Sequence, residues 1–209
     1  GHIFVGLGER SDPEPRQYAQ DPQATLGKII RINATDGTPA GAGIEGALPE
    51  IWSIGHRNIQ GAAMGPDGQL WMNEHGPKGG DELNAVEGSL NYGWPLATYG
   101  TDYSGAQMGA TQVEGTEQPV YYWDPVIAPS GMAFYEGAMF PDRNGSALIG
   151  ALQAGGGVVR LTLDGGKVSG EARYLNGIGR VRDLAVAPDG ALMLITDADN
   201  GAVIRVSKE

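Results

Sequence analysis

Short apolar runs broken by glycine, proline and aspartate dominate the chain, and they fall into two recurring patterns. The first comprises residues 2–8, 69–73, 147–150 and 191–196. The second comprises residues 27–32, 157–161 and 201–206, and each member sets an aliphatic pair before an arginine and a further aliphatic residue: Ile29-Ile30-Arg31-Ile32, Val158-Val159-Arg160-Leu161 and Val203-Ile204-Arg205-Val206. Runs of this length, rich in β-branched residues, predict strands. Pro66-Asp67-Gly68 and Pro188-Asp189-Gly190 precede two members of the first pattern, and Asp-Gly between apolar runs predicts a hairpin turn. Apolar openings at residues 61–64, 131–134 and 184–186 supply a further strand each. Members of the first pattern begin at positions 2, 69, 147 and 191, about 67, 78 and 44 residues apart. Irregular repeats of a few strands fit propeller blades with long insertions, or a β-sandwich whose strands resemble one another by coincidence. A blade takes roughly 40–50 residues, so about four are expected. Residues 34–50 and 93–118 read as polar, glycine-rich loops, and no stretch carries the periodicity of a long amphipathic helix.

Composition sharpens this picture. The 209 residues include 35 glycines and 13 prolines, which oppose helix interiors, while 41% are hydrophobic, too many for a disordered chain. A single all-β domain over residues 1–209 is expected. The formal net charge of −11 disfavours nucleic acid as a partner, since a phosphate backbone calls for a basic face. No cysteine is present, which excludes disulfides, thiolate metal sites and a cysteine nucleophile. No apolar run approaches a membrane span. The chain opens inside a strand pattern at Gly1-His2-Ile3-Phe4-Val5 and without an initiator methionine, as expected of an N-terminally incomplete segment.

Four polar clusters carry candidate chemistry. Arg57 and Asn58 stand together between Gly55 and Gly61; a guanidinium fork beside an amide suits a carboxylated ligand, or pairs with a neighbouring acid in an ordinary turn. Residues 73–84 combine Gly76, Gly79 and Gly80 with Asp81 and Glu82, offering carboxylates, carbonyls and tight turns to calcium, or forming a solvated acidic loop. Arg180 and Arg182 alternate, so on a strand they share a face, where an anionic ligand, Asp183 or another acid must separate them. Glu9 ends the first strand. With three histidines and no cysteine, a three-ligand zinc site is disfavoured.

In order, G-x-R-N-x-Q-G (residues 55–61), N-E-H-G-P-x-G-G-D-E-L-N (73–84), N-Y-G-W-P (91–95), Gly115-Thr116-Glu117-Gln118-Pro119-Val120 and Arg180-x-Arg182-Asp183 resemble the soluble glucose/sorbosone dehydrogenases, most closely the bacterial soluble aldose sugar dehydrogenases. The resemblance runs through the whole chain. It implies a six-bladed β-propeller, of which about four blades lie here, holding pyrroloquinoline quinone (PQQ) and calcium. The implied reaction oxidises aldoses at C1 to lactones, with hydride passing to the quinone. It implies Arg57, Asn58, Tyr103, Arg180 and Arg182 as quinone contacts. Gly76 and Pro77 carbonyls are implied as ligands of the cofactor-side calcium. Glu82, the Tyr92 carbonyl and Asp102 are implied at a further calcium, and Glu9 lies where the family has an acid near the sugar. Gln153 stands where the family has a cofactor-contacting lysine, so one cation is lost. The family's catalytic histidine is expected upstream of Gly1, leaving no catalytic base among residues 1–209; the fragment alone is then expected to be inactive. A missing N-terminal segment or another chain is expected to complete the ring. A periplasmic or secreted setting and an unidentified electron acceptor follow from the same resemblance. The alternatives are a non-catalytic propeller module that binds a protein or carbohydrate, and a calcium-dependent lactonase, for which three arginines are superfluous because a neutral ester needs no cationic clamp.

Overall fold

Three of the four first-pattern runs are strands that pair with the second-pattern runs; the run at 69–73 pairs within a sheet that has no second-pattern member. In the computed structural model, which describes residues 1–153 and 155–208, β1 (His2–Leu7) pairs antiparallel with β2 (Lys28–Asn33), which pairs in turn with β3 (Ile51–Ile54). The apolar openings become β4 (Ile59–Met64), β8 (Pro129–Phe134) and β12 (Val181–Val186). A four-stranded sheet runs β4-β5-β6-β7, with β5 at Leu70–Glu74, β6 at Asp81–Val86 and β7 at Tyr121–Trp123. A second runs β8-β9-β10-β11, with β9 at Ala147–Ala151, β10 at Val158–Asp164 and β11 at Lys167–Tyr174. The last sheet orders β12 with β13 (Leu192–Thr196) and β14 (Val203–Val206). Among the described residues, four small antiparallel sheets of consecutive strands are the blades of an all-β propeller fold, as expected.

The turn chemistry works as the residues predict. Gly65 N–H donates to Gln69 O, and Gly68 takes φ +82°; in the equivalent turn Ala187 N–H donates to Ala191 O, and Gly190 takes φ +86°. Among the described residues, only short helical turns interrupt the strands, at Pro13–Arg16, Gln17–Gln20 and Pro141–Arg143. Loop 34–50 is pinned by Arg31, which donates to Ala40 O and Gly41 O (the latter 3.2 Å) and lies 3.9 Å over the Trp52 ring.

The chain divides into two compact units, Gly1–Ile59 with Glu74–Pro125, and Gln60–Asn73 with Val126–Glu209. The first buries Ile29, Ile51, Leu83, Tyr92 and Trp94. The second has a core of Tyr135, Leu148, Val158, Val181, Leu184 and Leu194. Several buried polar groups accompany the first unit's apolar core: Glu9, Lys28, Ser53, His56, Arg57, Glu74, Asp81 and Asn84. Burying this much charge is costly unless each group is paired.

Candidate functional site

The loop Gly55–Asn58 links β3 to β4 and is laced to the end of β5. Gly55 needs both its φ of +80° and its bare Cα, since a Cβ would sit 2.2 Å from Asn91 Oδ1. His75 N–H donates to Asn58 O (3.0 Å), and Arg57 Nη1 donates to His75 O (2.8 Å). The Arg57 guanidinium lies 5.2 Å from the centroid of the Trp94 ring, and Glu9 N–H donates to Arg57 O at 2.9 Å. Arg57 is 5% exposed, and its buried Nε meets no acceptor. It therefore presents a charged donor with a carbonyl and a ring face around it. An open cleft of roughly 460 Å³ adjoins it, lined by Gly8, Arg10, Ser11, Leu26, Arg57 and Asn58 among others. Arg10 and Ser11 border this cleft with φ of +77° and +69°, a left-handed pair that non-glycine residues adopt at a cost of the order of 1–3 kcal/mol each.

Glu9 is buried, and one carboxylate oxygen accepts from Ser11 N–H (3.0 Å) while Oε1 is buried without a partner. Burial pushes its carboxyl up, against the lowering influence of the Ser11 N–H, Arg57 and Arg16.

Behind Arg57 lies a closed polar network. Ser53 Oγ and His56 Nε2 are 2.8 Å apart, and His56 Nδ1 lies 3.1 Å from Glu74 Oε1. The carboxylate only accepts, so Nδ1 carries the proton of that bond. Glu74 Oε2 accepts the Arg57 backbone N–H, and Asn84 Nδ2 reaches both Glu74 Oε1 (3.2 Å) and Glu82 Oε2 (3.3 Å). The His56 ring stacks on Tyr92 at 4.7 Å. Burial alone would push the Glu74 carboxyl up, but the His56 bond and charge, with the Arg57 and Asn58 N–H groups, hold it below its ordinary range.

A cavity of about 10 Å³, room for one water-sized occupant, is lined by Glu74, Gly76, Gly80, Glu82, Tyr92 and Thr98 among others. Glu82 forms part of its wall. Desolvation, then the charge of Glu74 and that of Asp81, push its carboxyl up to about 8 against the bond from Asn84. A carboxylate held this way, beside two others, is the environment a cation relieves. No group of three or more Asp, Glu, His or Cys side chains among the described residues is arranged to hold a metal, so a cation here must draw most of its oxygens from carbonyls. Gly76 suits that demand. A Cβ there would lie 2.2 Å from Gly79 O and 2.3 Å from Gly80 O, so the bare turn crowds carbonyls together.

Of the predicted metal residues, Gly76, Glu82 and Tyr92 thus line one cavity. Pro77 is buried and packs under Gly100. Asp102 belongs to a separate surface turn, where it accepts from Ser104 N–H (2.9 Å). Tyr103 is 69% exposed in the same turn.

In the second unit, Arg180 and Arg182 share a face as their alternation predicts. The acid between them is Asp197: its Oδ2 accepts from Arg180 Nη2 at 2.9 Å and Arg182 Nη2 at 2.6 Å. Asp183 instead accepts from Leu184 N–H (2.8 Å) and closes against Gly131. Arg180 Nη1 also donates to Leu152 O (3.1 Å), and Arg182 Nη1 reaches Gln60 Oε1 (3.4 Å). Two guanidiniums on one carboxylate leave one net positive charge at the surface. Gln153 is exposed and adds none.

The profile of the Glucose / Sorbosone dehydrogenase family matches residues 1–205. The chain belongs to this family. It is 43% identical to the aldose sugar dehydrogenase YliI of Escherichia coli over 215 residues, covering 99% of this chain and 57% of that protein. A crystal structure of a glucose dehydrogenase superposes with a TM-score of 0.92 at 45% identity, over 100% of this chain and 62% of that one. The PQQ-bound aldose sugar dehydrogenase of Streptomyces coelicolor gives a TM-score of 0.76 at 32% identity, covering 98% and 57%. The chain therefore spans about three-fifths of the length of these family members.

Three groups escaped the sequence reading. Glu74 and Asn84 lie within a quoted motif but were given no task. The signal for Glu74 is an acid directly after the apolar run Leu70-Trp71-Met72 and Asn73. Asp197, just after the β13 run, is the third, and an acid at a strand end opposite two arginines was its clue.

Proposed function

We propose that this chain is the quinone- and calcium-binding part of a PQQ-dependent aldose dehydrogenase. The observation that carries the reading is Arg57: a buried guanidinium with an unpartnered Nε and, among the described residues, no ion-paired carboxylate, beside Asn58 at an open cleft. PQQ is a flat tricarboxylate, and its chemistry matches that unmet donor. The small cavity with the raised Glu82 carboxyl fits calcium equally. In the first unit, Arg57 and Asn58 would hold quinone carboxylate and carbonyl oxygens. Glu82 with the Gly76, Pro77 and Tyr92 carbonyls would furnish calcium ligands, with Asp102 and Tyr103 as further candidates from the family pattern. In the second unit, Arg180 and Arg182 would meet a carboxylate with the net charge that Asp197 leaves them, while Gln153 can offer only neutral hydrogen bonds. When bound, the calcium–quinone pair supplies the electrophile that takes up hydride from the sugar C1, giving a lactone.

Within the chain, Arg57 binds and orients through its fork, and Glu9 would accept a sugar hydroxyl at its unpartnered Oε1. None of the three histidines takes the role of general base in this proposal: His56 is fully buried and engaged at both nitrogens, His2 lies on β1 opposite Asn33, and His75 belongs to the calcium-loop motif, its main chain bonded to Asn58 and Arg57. A periplasmic or secreted setting belongs to the same proposal; among the described residues no helix is long and apolar enough to cross a membrane.

The test adds PQQ, Ca²⁺ and an aldose to the purified chain and follows both the PQQ absorbance and dye reduction. The expected result is a saturable absorbance change with little turnover. Robust turnover by the chain alone would refute the assignment of the base. The second reading, a propeller module that binds a protein or carbohydrate without catalysis, is favoured by Gln153 and by the Asp197 clamp. It would be supported by the absence of any absorbance change.

A further inference from the structure

Glu74 stands at a junction that the quinone and calcium contacts do not explain. One of its oxygens accepts the Arg57 backbone N–H, and the other is gripped by His56 Nδ1 and Asn84 Nδ2. His56 is fixed in turn by Ser53 and by stacking on Tyr92, and Asn84 also holds Glu82. The network is buried, with Ser53 and His56 at 0% exposure and Glu74 at 5%. Its serine, histidine and carboxylate fall in the order of a hydrolytic triad, but the hydroxyl faces no cleft, so nucleophilic chemistry is excluded on access alone.

We infer that Glu74 is a positioning residue: its carboxylate, oriented by His56, fixes the main chain of Arg57 and ties it through Asn84 to Glu82. The inference rests on the quinone reading for its functional consequence, though not for its geometry. The physical argument is rigidity. Arg57's side chain is anchored by one carbonyl and a ring face, so its aim depends on where its Cα is held. A charge-assisted bond from a backbone N–H to a buried carboxylate is short and strong and sets that position before any ligand arrives. The same carboxylate shares Asn84 with Glu82, so a change at the small cavity is transmitted to the Arg57 loop by a chain of direct bonds. Coupling of this kind is reciprocal: whatever a cation at Glu82 does for an anion at Arg57, the anion does for the cation.

The test uses the Glu74→Gln and Ser53→Ala variants of the full chain, with two readouts. One is the ¹H–¹⁵N resonance of the Arg57 amide without ligand; the other is PQQ affinity by titration with and without Ca²⁺. In the wild type the Arg57 amide proton is expected well downfield. Glu74→Gln should move it upfield, weaken PQQ binding at least tenfold, and reduce the ratio of PQQ affinities with and without Ca²⁺. Ser53→Ala cuts only the far end of the network. It should lower Tm by a few degrees while leaving the Arg57 amide in place and PQQ affinity within about twofold. A PQQ affinity that falls in step with Tm in both variants would reduce the network to a structural role and overturn the inference. Should Glu74→Gln fail to fold, the wild type still decides, because an Arg57 amide at an ordinary position overturns the assignment alone. Failure of the wild type to bind PQQ would count against the functional reading, and the amide resonance would still test the geometry.

Discussion

Two arginine clusters, read from the same kind of motif, end in opposite electrostatic states. Arg180 and Arg182 are 48% and 43% exposed at their side chains and share the carboxylate of Asp197. Arg57 is buried, touches a carbonyl and a tryptophan face, and leaves Nε without an acceptor. The first cluster has largely satisfied itself within the protein; the second has been desolvated by folding and left waiting. A buried cation lacking an acid is costly unless a ligand completes it, whereas an exposed ion pair is worth about 0–1 kcal/mol. Ligand affinity should therefore reside in Arg57 far more than in the Arg-x-Arg pair, although the pair is the more conspicuous feature of the sequence.

Lys28 is a third cation that clarifies the other two. It is fully buried, and its ammonium is satisfied by carbonyls alone, those of Tyr18, Ala19 (3.0 Å) and Leu26 (2.9 Å). Desolvation brings its pKa down to about 8, opposed by the charge of Asp21. Carbonyls can thus close a cation site completely. Lys28 has three of them around one ammonium, while Arg57 has one carbonyl for a five-donor fork.

The largest effect that tests this contrast is Arg57→Ala. Losing a buried, charge-assisted contact costs about 2–3 kcal/mol, so PQQ affinity should drop about 30–150-fold by titration, against less than about tenfold for Arg180→Ala. Equal losses would erase the distinction between the clusters. Next in size is calcium. Chelation should lower Tm by several degrees in the wild type and much less in Glu82→Gln, which lacks the carboxylate that a cation relieves; calorimetry with and without chelator measures both. A smaller effect is expected from Asp197→Asn. Releasing two guanidiniums from their internal anion should tighten PQQ binding a few-fold, more strongly at low salt. Weaker binding would mean that Asp197 orients the arginines rather than competing with the ligand.

The smallest prediction concerns Lys28. Its folded pKa lies below the unfolded value, so between about pH 8 and 10.5 the unfolded chain binds the extra proton, and stability should rise with pH by up to about 1.4 kcal/mol per unit from this group. The burial cost is present in full below about pH 8. Denaturant melts of wild type minus Lys28→Met across that range isolate the contribution, and parallel curves would show that the ammonium is not desolvated as the carbonyl cage implies.

The strands were legible wherever they are short apolar runs, as in β1, β9 and β13, and the Asp-Gly turns gave the hairpins away. β6 was not read as a strand because it is Asp81-Glu82-Leu83-Asn84-Ala85-Val86, whose Asp81 and Asn84 are buried and bonded to Gly76 N–H and Glu74 rather than replaced by apolar side chains. β11 was missed for the opposite reason: it is the edge of its sheet, largely exposed, and little selects its residues for a core. For the candidate site, motif order marked Arg57, Gly76 and Glu82, and the small cavity joins all three. The partners of Glu74 and Asp197 were illegible because they are distant in sequence, 17 residues for Arg57 and 15 for Arg182.

The most direct test of the central claim compares PQQ with its trimethyl ester, binding each to the wild-type chain in Ca²⁺ by isothermal titration. If a desolvated, unmet guanidinium holds a quinone carboxylate, PQQ should bind at least about 100-fold more tightly than the ester, and Arg57→Ala should remove most of that difference. Equal affinity for the two compounds, or a preference for PQQ that survives Arg57→Ala, would contradict the account.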